Sequence, residues 1–533
     1  MLNLSIDPHP LHLIARNAIG SDKISLHFKI ATRSFNLNRN TTEMLSAFIS
    51  RLRNNLTPKK LKSDYMDFPE DSEIKLRSHD DEVIDSSTPL LVAFASAGTF
   101  VIGPNNYSVF FNPPTINNVK LPSHIMAGCT VYPLVELEFC EMSDLNFEWL
   151  FNESILSTEK YFLPNIDLVG KELSFKITHP KANEFVASSQ SFYVEAFPGK
   201  SPLTFRYSFT MDWLSGLSFR LVSYNILSSI MASTDFAAEN MYPYCPEYAR
   251  KMDYRKQLLY HEFLNYHADI FALQEVDTLF FNTDLKYVMN IHGYSGLHAV
   301  KNGQTAEGEA IFFKSSRFRL IHNRRHVLSD HIDSMEDISS FLLSNHNNLL
   351  EKLKTKKTIL QVVLLEFISN PGHYLLIGNT HLYYKNFDDS IRLLQSVVAV
   401  DILTRTLQEH QHLNGTMGYI LCGDLNSATT SHAVHYLQTG KLPRTDGNAE
   451  AIPGLSHSHD LTLSNVGGTH EYTTLICGFK GVLDWIFTDS RTLRCLQTLP
   501  VPSQEDIAIL GGIPNVVVPS DHIALVSDLQ FMK

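Results

Sequence analysis

The sequence predicts an α/β fold in which a mostly β N-terminal region precedes a layered α/β domain. Three observations predict it. Short apolar runs separated by turn residues fill the first part of the chain, apolar runs alternate with amphipathic segments in the second, and polar residues stand at the ends of those later runs. Alternating strands and helices are typical of sheets covered by helices. We therefore expect a β-rich region over residues 1–210 and an α/β domain over residues 218–533.

Composition restricts the class of protein. The chain has 533 residues, of which 44% are hydrophobic and 19% charged, and its formal net charge is −12. It is long enough for two or three domains with a large core. No apolar run is long enough to cross a membrane, so membrane insertion is not expected. The negative charge argues against broad adhesion to nucleic acid, and a phosphate ligand would therefore need bound cations.

Cysteine usage and the N-terminus indicate the compartment. The 6 cysteines show no CxxC spacing, which predicts neither a zinc cluster nor a disulfide framework and fits a reducing environment. Residues 1–21 contain one basic residue, Arg16, and no compact apolar core. A secretory signal is therefore not expected, and a mitochondrial presequence would be a weak one.

The N-terminal region is predicted to be a sandwich or two small sheets. The runs "PLLVAFASAGTFVI", "PLVELEF" and "KELSFKIT" are predicted as strands, and "GPNN" and "NPPTINN" as turns. The basic stretch at residues 51–62 has the charge to contact RNA. A solvated surface face is the commoner origin of such a run.

The α/β domain is predicted from its alternating patterns. The predicted strands are "SFRLVSYNIL", "ADIFALQEV", "EAIFFK", "ILQVVLLEF", "HYLLIGNTHL", "GYILCGDLN", "GVLDWIF" and "HIALVSDL". The amphipathic segments "DYRKQLLYHEFLNYH" and "SIRLLQSVVAVDILTRTLQEH" are predicted as helices, and the polar run "SMEDISSFLLSNHNNLLEKLKTKK" as a helical insertion.

Polar residues at the ends of these strands are the candidate site. They are Asn225, Glu275, Asn379 with His381, Asp424 with Asn426, Asp484, and Asp521 with His522. Burying a carboxylate there costs free energy unless a cation or hydrogen bonds compensate it. A structural cap explains any one of them, but the whole set indicates a shared cleft. In "LCGDLNS", an extended backbone would direct Asp424 and Asn426 to one face, whereas a turn closed by their own side chains is the alternative.

Six motifs carry a family resemblance. "SYNIL", "LQEVD", "NTHLYY", "LCGDLNS", "LDWIF" and "PSDHIAL", in this order, resemble the endonuclease/exonuclease/phosphatase superfamily. The resemblance implies a four-layer α/β sandwich of two packed sheets flanked by helices. "YPYCPEYARKMDYRKQLL" is similar to the deadenylase branch, and "LPSHIMAGCTVYPLVELEF" to members that act on 2′,5′-linked oligoadenylate.

The resemblance implies an activity and its cofactor. We expect a Mg²⁺-dependent 3′-exoribonuclease or phosphodiesterase that removes adenylates from poly(A) and cleaves 2′,5′-oligoadenylate to AMP and ATP. Such hydrolysis needs charge neutralisation, an oriented water and a stabilised leaving oxygen. The metal set implied is Glu275, Asp424, Asp521 and Asn225, with Glu275 as the principal carboxylate, because Mg²⁺ takes oxygen ligands.

The resemblance also implies the other roles. Asp424 would orient the attacking water, and His381 would donate a hydrogen bond to a phosphate oxygen. His522 would do the same or take a proton, with Asp484 fixing its tautomer, and Asn225 would hold a phosphate oxygen or assist at the metal. Substrate binding is assigned to Asn426, Tyr244 and Arg255. Tyr242, Tyr244 and Tyr248 are candidates for adenine stacking, although tyrosines in folded domains are more often packing residues.

Some alternatives stay open at this stage. Glu309 in "AEGEAIFFK" departs from the family pattern, either as an extra ligand or, as we expect, as a solvent-facing substitution. The same fold could act on a phospholipid or inositol phosphate, and a non-catalytic RNA-binding adapter is a third possibility. RNA is the expected partner, and no obligate protein partner is inferred. The resemblance implies the mitochondrial matrix, with the cytoplasm as the alternative.

Overall fold

A computed structural model describes most of the chain. The described residues are 11–30, 33–56, 73–180, 187–188, 191–301, 306–385, 387–442 and 452–532. Part of the basic stretch at residues 51–62 lies outside them. The chain divides into two compact units. Unit 1 comprises Met1–Leu121, Pro133–Lys160 and Glu172–Ser191, and unit 2 comprises Pro122–Tyr132, Tyr161–Lys171 and Phe192–Lys533.

The strands and helices follow in chain order. The strands are β1 (His12–Arg16), β2 (Lys23–Ile30), β3 (Arg33–Asn40), β4 (Ile74–Ser78), β5 (Ala97–Ile102), β6 (Asn105–Phe111), β7 (Thr115–Lys120), β8 (Ile125–Met126), β9 (Leu134–Glu138), β10 (Asn146–Phe151), β11 (Ser154–Ser157), β12 (Glu172–Thr178), β13 (Ala187–Ser188), β14 (Phe192–Glu195), β15 (Ser218–Asn225), β16 (Ile270–Asp277), β17 (Tyr294–Val300), β18 (Glu307–Lys314), β19 (Phe318–Val327), β20 (Ile359–Phe367), β21 (His373–His381), β22 (Thr416–Asp424), β23 (Leu463–Asn465), β24 (Thr474–Ile476), β25 (Phe479–Gly481), β26 (Asp484–Asp489), β27 (Leu493–Thr498) and β28 (Leu525–Phe531). The α-helices are α1 (Leu45–Leu56), α2 (Leu90–Ser96), α3 (Ser229–Ala232), α4 (Glu247–Arg250), α5 (Met252–Asn265), α6 (Thr278–Phe280), α7 (Lys286–Ile291), α8 (Leu328–His331), α9 (Glu336–Asn345), α10 (Asn347–Lys354), α11 (Asp389–Glu409), α12 (His432–Thr439) and α13 (Gln504–Ala508).

Unit 1 is built on a mixed sheet with one face covered by helices. The strand order is β3-β2-β1-β6-β5-β4, and β1 pairs in parallel with β6. The helix α1 buries Leu45, Phe48, Leu52 and Leu56, whose spacing of three and four residues places them on one side of the helix. These side chains pack into the core of the sheet. Two antiparallel groups, β7 with β9 and β10 with β11 and β12, complete the described part of the unit.

Unit 2 contains two six-stranded sheets. The first has the order β17-β18-β16-β15-β28-β27, and the second β19-β20-β21-β22-β26-β23. β15 and β16 run in parallel, as do β21 and β22, whereas β26 and β28 run antiparallel to β22 and β15. The carboxyl ends of the parallel strands therefore share an edge with the starts of β26 and β28.

Four layers follow from where the apolar residues lie. One core fills the space between the two sheets and includes Leu221, Ile270, Ile377 and Ile420. A second core joins the outer face of the first sheet to α5 and α7, and a third joins the second sheet to α11 and its neighbours. β20, β21 and β22 are buried almost throughout, which explains their continuous apolar sequences.

The predicted fold class is confirmed, with local errors; for example, part of "NPPTINN", predicted as a turn, belongs to β7. The mostly β N-terminal region and the α/β sandwich are both present. The run "PLLVAFASAGTFVI" was predicted as a strand, but its first half forms α2, because Leu90, Ala93 and Phe94 recur at helical spacing on a buried face. Among the described residues, no helix is both long and apolar enough to span a membrane.

Candidate active site

Asn225 joins two carboxylates of the candidate site. It ends β15 and is fully buried. Its Nδ2 donates to Glu275 Oε1 at 3.0 Å and to Asp424 Oδ2 at 3.1 Å, while its Oδ1 accepts from the Leu227 N–H at 3.0 Å. Because the amide oxygen of Asn225 accepts from the backbone, the group that faces the site in this arrangement is its amide nitrogen, a hydrogen-bond donor. In this arrangement Asn225 orients the two carboxylates, and the role expected from the sequence, at the metal or on a phosphate oxygen, stays a prediction.

Glu275 occupies a strained turn of the backbone. Its φ is 57°, a left-handed value that glutamate rarely adopts, and the β16 register against β18 shifts between Leu273 and Val276. Glu275 Oε2 accepts from the Ser228 N–H at 2.9 Å. Burial opposes ionisation of Glu275, but His381, the Ser228 N–H, Lys301 and Asn225 outweigh it and hold its pKa at about 2. Glu275 is thus an anion at any physiological pH.

Asp424 stands at the centre of the site. It ends β22, where it pairs in register with His381 of β21 and with Asp484 of β26. His381 Nε2 and His522 Nε2 lie 3.5 and 3.6 Å from Asp424 Oδ2. Burial raises the pKa of Asp424, and the two imidazoles act in the opposite direction. A nucleophilic water held at this carboxylate would meet both histidines.

Asp484 and His522 form a tight pair although they lie far apart in sequence. His522 Nδ1 is 2.7 Å from Asp484 Oδ2, and the Thr473 hydroxyl donates to the same oxygen at 2.5 Å. Burial disfavours the imidazolium, but Asp484, Asp424 and Asp521 outweigh it and raise the pKa of His522 well above its usual value. His522 is therefore a cation at neutral pH that can give up a proton.

Asp521 lies beside the pair and is tied to Tyr242. The Tyr242 hydroxyl donates to Asp521 Oδ2 at 2.5 Å, and the Thr474 hydroxyl donates to the Asp521 carbonyl at 2.6 Å. Burial, followed by the Glu275 charge, raises the pKa of Asp521, while His522 opposes the rise. Tyr242 is buried and engaged with Asp521, so it supports the site from behind and does not offer a stacking surface.

In the "LCGDLNS" segment the chain turns directly after Asp424, and the turn holds Asn426 beside the candidate site. A Cβ built on Gly423 would lie 1.9 Å from the Thr380 carbonyl oxygen, so only glycine fits there. Asp424 Oδ1 accepts from the Asn426 N–H at 2.8 Å, and Asn426 has a φ of 48°. The chain is thus not extended after Asp424, and the expected alternation does not apply. Asn426 Nδ2 donates to the Leu382 carbonyl at 2.9 Å, which holds the amide beside the site with one N–H to spare.

Three residues predicted for the site contact the protein backbone or the core in the structure. Arg255 is fully buried, and its guanidinium donates to the carbonyls of Arg250, Ile226, Leu227 and Pro519. It fixes the backbone behind the site, so direct substrate contact does not fit its position. Asn379 is also buried and joins the two sheets through Gln274 and Leu273. Tyr244 is half-buried, with its hydroxyl on the Ile513 carbonyl at 2.7 Å.

Glu309 is not solvent-facing, contrary to our expectation. It has no exposed surface, and no described side chain donates a hydrogen bond to its carboxylate. β18 turns Glu309 to the same side as Ile311 and Phe313, which face the second sheet. Burial raises its pKa to about 8, and Lys301 opposes the rise. The misprediction arose because the local pattern could not show that this end of the inter-sheet core is polar.

The acidic residues fit a divalent cation. Glu275 and Asp521 present carboxylate oxygens beside Asp424, and hard cations such as Mg²⁺ prefer such ligands. The oxygens and nitrogen of Asp424, Asp484 and His522 also lie within 4.8 Å of one another. In that second group, Asp484 and His522 already bind each other at 2.7 Å. The carboxylates of Glu275 and Asp521 are therefore the better ligands for a metal.

Two further residues, one in contact with His381 and one on a hairpin that adjoins the site, were missed from the sequence. Lys301 Nζ lies 3.3 Å from His381 Nδ1, and Phe479 on β25 is 38% exposed. β24 and β25 form a hairpin whose neighbour Thr473 binds Asp484 and whose Thr474 bridges to His522. An exposed aromatic residue between Gly478 and Lys480, just ahead of Asp484, was the available signal for Phe479. No sequence pattern indicated Lys301.

Comparison with known proteins identifies a family and several relatives of the chain. Residues 222–522 match the sequence model of the protein family described as the Endonuclease/Exonuclease/phosphatase family. The chain is 31% identical over 484 residues to the 2',5'-phosphodiesterase 12 of Rattus norvegicus, covering 82% of this chain and 77% of that protein. The Homo sapiens protein of the same name is 31% identical over 485 residues, with the same coverage of both chains.

More distant relatives and a solved structure match a smaller share of the chain. The CCR4-Not complex 3'-5'-exoribonuclease subunit Ccr4 of Saccharomyces cerevisiae is 27% identical over 345 residues, covering 60% of this chain and 39% of that protein. The crystal structure of ANGEL2, a 2',3'-cyclic phosphatase, in complex with adenosine-2',3'-vanadate is 21% identical, with a TM-score of 0.50 over 60% of this chain and 97% of that one. At this identity, the likeness to ANGEL2 shows the fold alone.

Proposed function

The chain belongs to the endonuclease/exonuclease/phosphatase family, and from that premise we propose that it is a Mg²⁺-dependent phosphodiesterase that removes adenylates from the 3′ ends of poly(A) and cleaves 2′,5′-oligoadenylate to AMP and ATP. The observation that carries the proposal is the convergence of Asn225, Glu275, His381, Asp424 and His522 at one edge of the two sheets. The relatives named 2',5'-phosphodiesterase 12 and Ccr4 support the substrate class.

The site has the charges that phosphodiester hydrolysis requires. Glu275 and Asp521 would hold Mg²⁺, which when bound would neutralise the phosphoryl oxygens. Asp424 would orient a water for attack, since its Oδ2 faces both histidines and its Oδ1 is fixed by the Asn426 N–H. The water is thereby held by a carboxylate whose own position is set by the backbone.

The remaining polar groups would act on the phosphate. His381 Nε2 and the free N–H of Asn426 would donate to non-bridging oxygens, where charge develops. His522, kept cationic by Asp484, would stabilise the same charge and donate a proton to the leaving oxygen. Asp424 would accept the proton that the attacking water loses. Because each donor is already fixed by another contact, little reorganisation accompanies the reaction.

Selectivity for adenine would come from the exposed ring beside the site. Phe479 is exposed on the hairpin that abuts Asp484 and His522, and base stacking on such a ring contributes about 1–3 kcal/mol. Tyr248 is 45% exposed, so it remains a second candidate, whereas Tyr242 is buried and Tyr244 uses its hydroxyl internally.

A substrate panel tests the proposal. Purified full-length protein with Mg²⁺ should release AMP from 3′,5′- and 2′,5′-oligoadenylate, and should release UMP from oligouridylate more slowly. Phe479→Ala should raise KM for the adenylates and reduce this preference, while Phe205→Ala, at another exposed phenylalanine, should change neither. Hydrolysis of only sphingomyelin or inositol phosphates would overturn the substrate class. RNA binding without turnover would indicate an adapter.

For location, we propose the mitochondrial matrix, on the strength of the family resemblance, with the cytoplasm as the alternative. Full-length protein tagged at its C-terminus should fractionate with matrix markers and resist protease added to intact mitochondria. Recovery in the soluble cytoplasmic fraction would favour the alternative.

A further inference from the structure

Lys301 is a buried cation in the wall of the site that the proposed mechanism does not use. It follows β17, and its side chain is 14% exposed. Its Nζ donates to Glu307 Oε1 at 2.9 Å and lies 3.3 Å from His381 Nδ1. Its backbone N–H donates to the Glu307 carbonyl at 2.9 Å. Both its backbone and its ammonium are therefore held against the start of β18.

The contact with His381 determines where the imidazole carries its proton. An ammonium has three donors and no acceptor, so Nδ1 must be the unprotonated nitrogen that accepts from Lys301. The proton of the neutral ring then lies on Nε2. Without Lys301, the nearest charged group to Nδ1 would be Glu275 Oε1 at 3.9 Å, an acceptor that favours the opposite tautomer.

We propose that Lys301 is a positioning residue that fixes His381 as its Nε2–H tautomer, with this N–H directed to the place where the scissile phosphate binds. In the structure, His381 Nε2 lies 3.5 Å from Asp424 Oδ2, on the side of the ring that faces the proposed attacking water. The phosphate contact rests on the proposed function, but the tautomer itself does not.

The surroundings of Lys301 keep it charged. Burial disfavours the ammonium, but Glu309, Glu307 and Glu275 outweigh it and raise the pKa of Lys301. Burial, together with the Lys301 charge, lowers the pKa of His381 to about 4, against the effect of Asp424 and Glu275. The contact itself selects the tautomer, because a charged donor 3.3 Å from Nδ1 leaves Nε2 as the ring nitrogen that carries the proton.

The two histidines of the site are consequently distinguished by what touches Nδ1. A carboxylate, Asp484, meets Nδ1 of His522 at 2.7 Å and favours a protonated Nδ1 and a cationic ring. An ammonium, Lys301, meets Nδ1 of His381 and favours a neutral ring that donates only through Nε2. His381 becomes a fixed donor, and His522 becomes the group that exchanges a proton.

The tautomer can be measured directly. In full-length protein labelled with ¹⁵N-histidine, two-bond ¹H–¹⁵N correlations separate protonated from unprotonated ring nitrogens, and His381→Gln identifies the signals. We expect an unprotonated Nδ1 and a protonated Nε2 in the wild type. Lys301→Met should shift His381 toward a protonated Nδ1, and Lys301→Arg, which keeps a cationic donor, should restore the wild-type pattern.

A matched lysine controls for the loss of a buried ion pair. Lys256 binds Asp253 and Asp284 at 2.8 and 3.0 Å, so Lys256→Met should lower stability without changing the His381 signals. If Lys301→Met does not fold, Glu307→Gln serves as the second variant, because it releases the ammonium and should weaken the preference for Nε2–H. A protonated Nδ1 in the wild type, or an unchanged tautomer in folded Lys301→Met, would overturn the proposal.

Kinetics supply an independent readout. With an adenylate substrate, Lys301→Met should lower kcat by about 10- to 100-fold, as with other residues that fix a histidine tautomer, while KM changes little. Lys301→Arg should recover most of the rate. A rise in KM alone would mean that Lys301 binds the substrate directly. If the wild type cleaves no adenylate, the proposed function fails, and the NMR result still decides the tautomer.

Discussion

At the scale of single residues, the sequence indicated which polar side chains lie close together, but not which groups they contact. Glu275, Asp424, Asp484 and His522 were found because polar residues interrupt apolar strands at their ends, and burial makes such interruptions costly. The orientation of an amide or the burial of a charge depends on strands elsewhere in the chain. For that reason, the sequence did not indicate that Asn225 offers its nitrogen or that Arg255 binds only carbonyl groups.

The first prediction concerns the metal carboxylate. Glu275→Gln keeps the shape and the hydrogen bond with the Ser228 N–H, but it removes the anion. Activity at limiting Mg²⁺ should fall by several powers of ten, since a metal clamp contributes several kcal/mol at the transition state. The measurement is kcat/KM against Mg²⁺ concentration, with Glu239→Gln, an exposed carboxylate, as the control. Near-normal Mg²⁺-dependent turnover would show that Glu275 does not hold the metal.

The second prediction tests the pair of Asp484 and His522. Asp484→Asn removes the charge that most raises the pKa of His522 and misorients its ring. Activity should fall steeply, and the remaining rate should increase toward lower pH, where the imidazole is again protonated. His522→Ala should cost about as much, and the double variant little more than the worse single one, because the residues act as a unit. If the double variant lost as much activity as the two single variants together, the pairing would be contradicted. The measurement is the rate of each variant over a series of pH values.

The third prediction concerns Glu309 and stability. Its pKa is about 8 in the folded protein against a reference value of 4.5, so between these pH values the folded state keeps a proton that the unfolded state releases. Stability should therefore fall as the pH rises through this interval. Glu309→Gln cannot ionise and should be more stable than the wild type at pH 8 by on the order of 2–4 kcal/mol. The difference should fade by about pH 5.

Thermal unfolding at a series of pH values measures this effect. Glu247→Gln, which changes an exposed carboxylate on α4, should show no such trend. An equal gain from Glu309→Gln at acidic and alkaline pH would mean that packing and not ionisation is responsible.

At the scale of elements, the site depends on strand register. His381 pairs with Asp424 across β21 and β22, and Asp424 pairs with Asp484 across β22 and β26. A slip of one residue would turn Asp424 toward the helices on the outer face. Apolar runs predicted the existence of these strands, but a run carries no information on which residues face each other. Because apolar runs do not show which residues face each other, the pairing of Asp484 with His522 could be predicted only from the family resemblance.

The fourth prediction tests the close approach of β21 and β22. Gly423→Ala would place a Cβ 1.9 Å from the Thr380 carbonyl at a φ of 137°, so the strands must separate at the residues that precede His381 and Asp424. We expect a loss of about 1–3 kcal/mol of stability and a larger fractional loss of kcat. Gly418→Ala on the same strand meets only the Leu493 side chain at 3.0 Å and should retain kcat. Comparable activity of the two variants would contradict this account.

At the scale of the whole molecule, the described units do not follow a single cut in the chain. Residues 122–132, 161–171 and 192–217 belong to the unit that carries the site, although all of them precede the boundary near residue 218. The Ser123 N–H donates to Asp253 at 3.0 Å, and Tyr132 packs in the core of the first sheet. Composition changes near residue 210, and composition was the sequence signal for the boundary. Contacts between distant segments leave no such signal.

The last prediction follows from Arg206, which a fragment starting near residue 210 would lack. Arg206 is fully buried and donates to the Ala524 carbonyl at 2.6 Å and to the Tyr266 hydroxyl at 2.8 Å. Tyr266 in turn donates to Glu262. Burial raises the pKa of Glu262 to about 7, although Tyr266 and Arg206 partly oppose the rise. Removing one partner of such a buried network costs about 3–5 kcal/mol. A fragment of residues 192–533 should therefore unfold at a higher temperature than one of residues 210–533.

Arg206→Met in the full-length protein separates this contact from the rest of the truncation. It should lower the unfolding temperature by several degrees, and most strongly at alkaline pH, where Glu262 is ionised and has lost its nearby cation. Any fragment that folds should still hydrolyse a dinucleotide, because the catalytic residues all follow residue 218. Equal unfolding temperatures for the two fragments would show that Arg206 is dispensable. Complete loss of turnover in a folded 192–533 fragment would mean that the catalytic edge needs residues before 192.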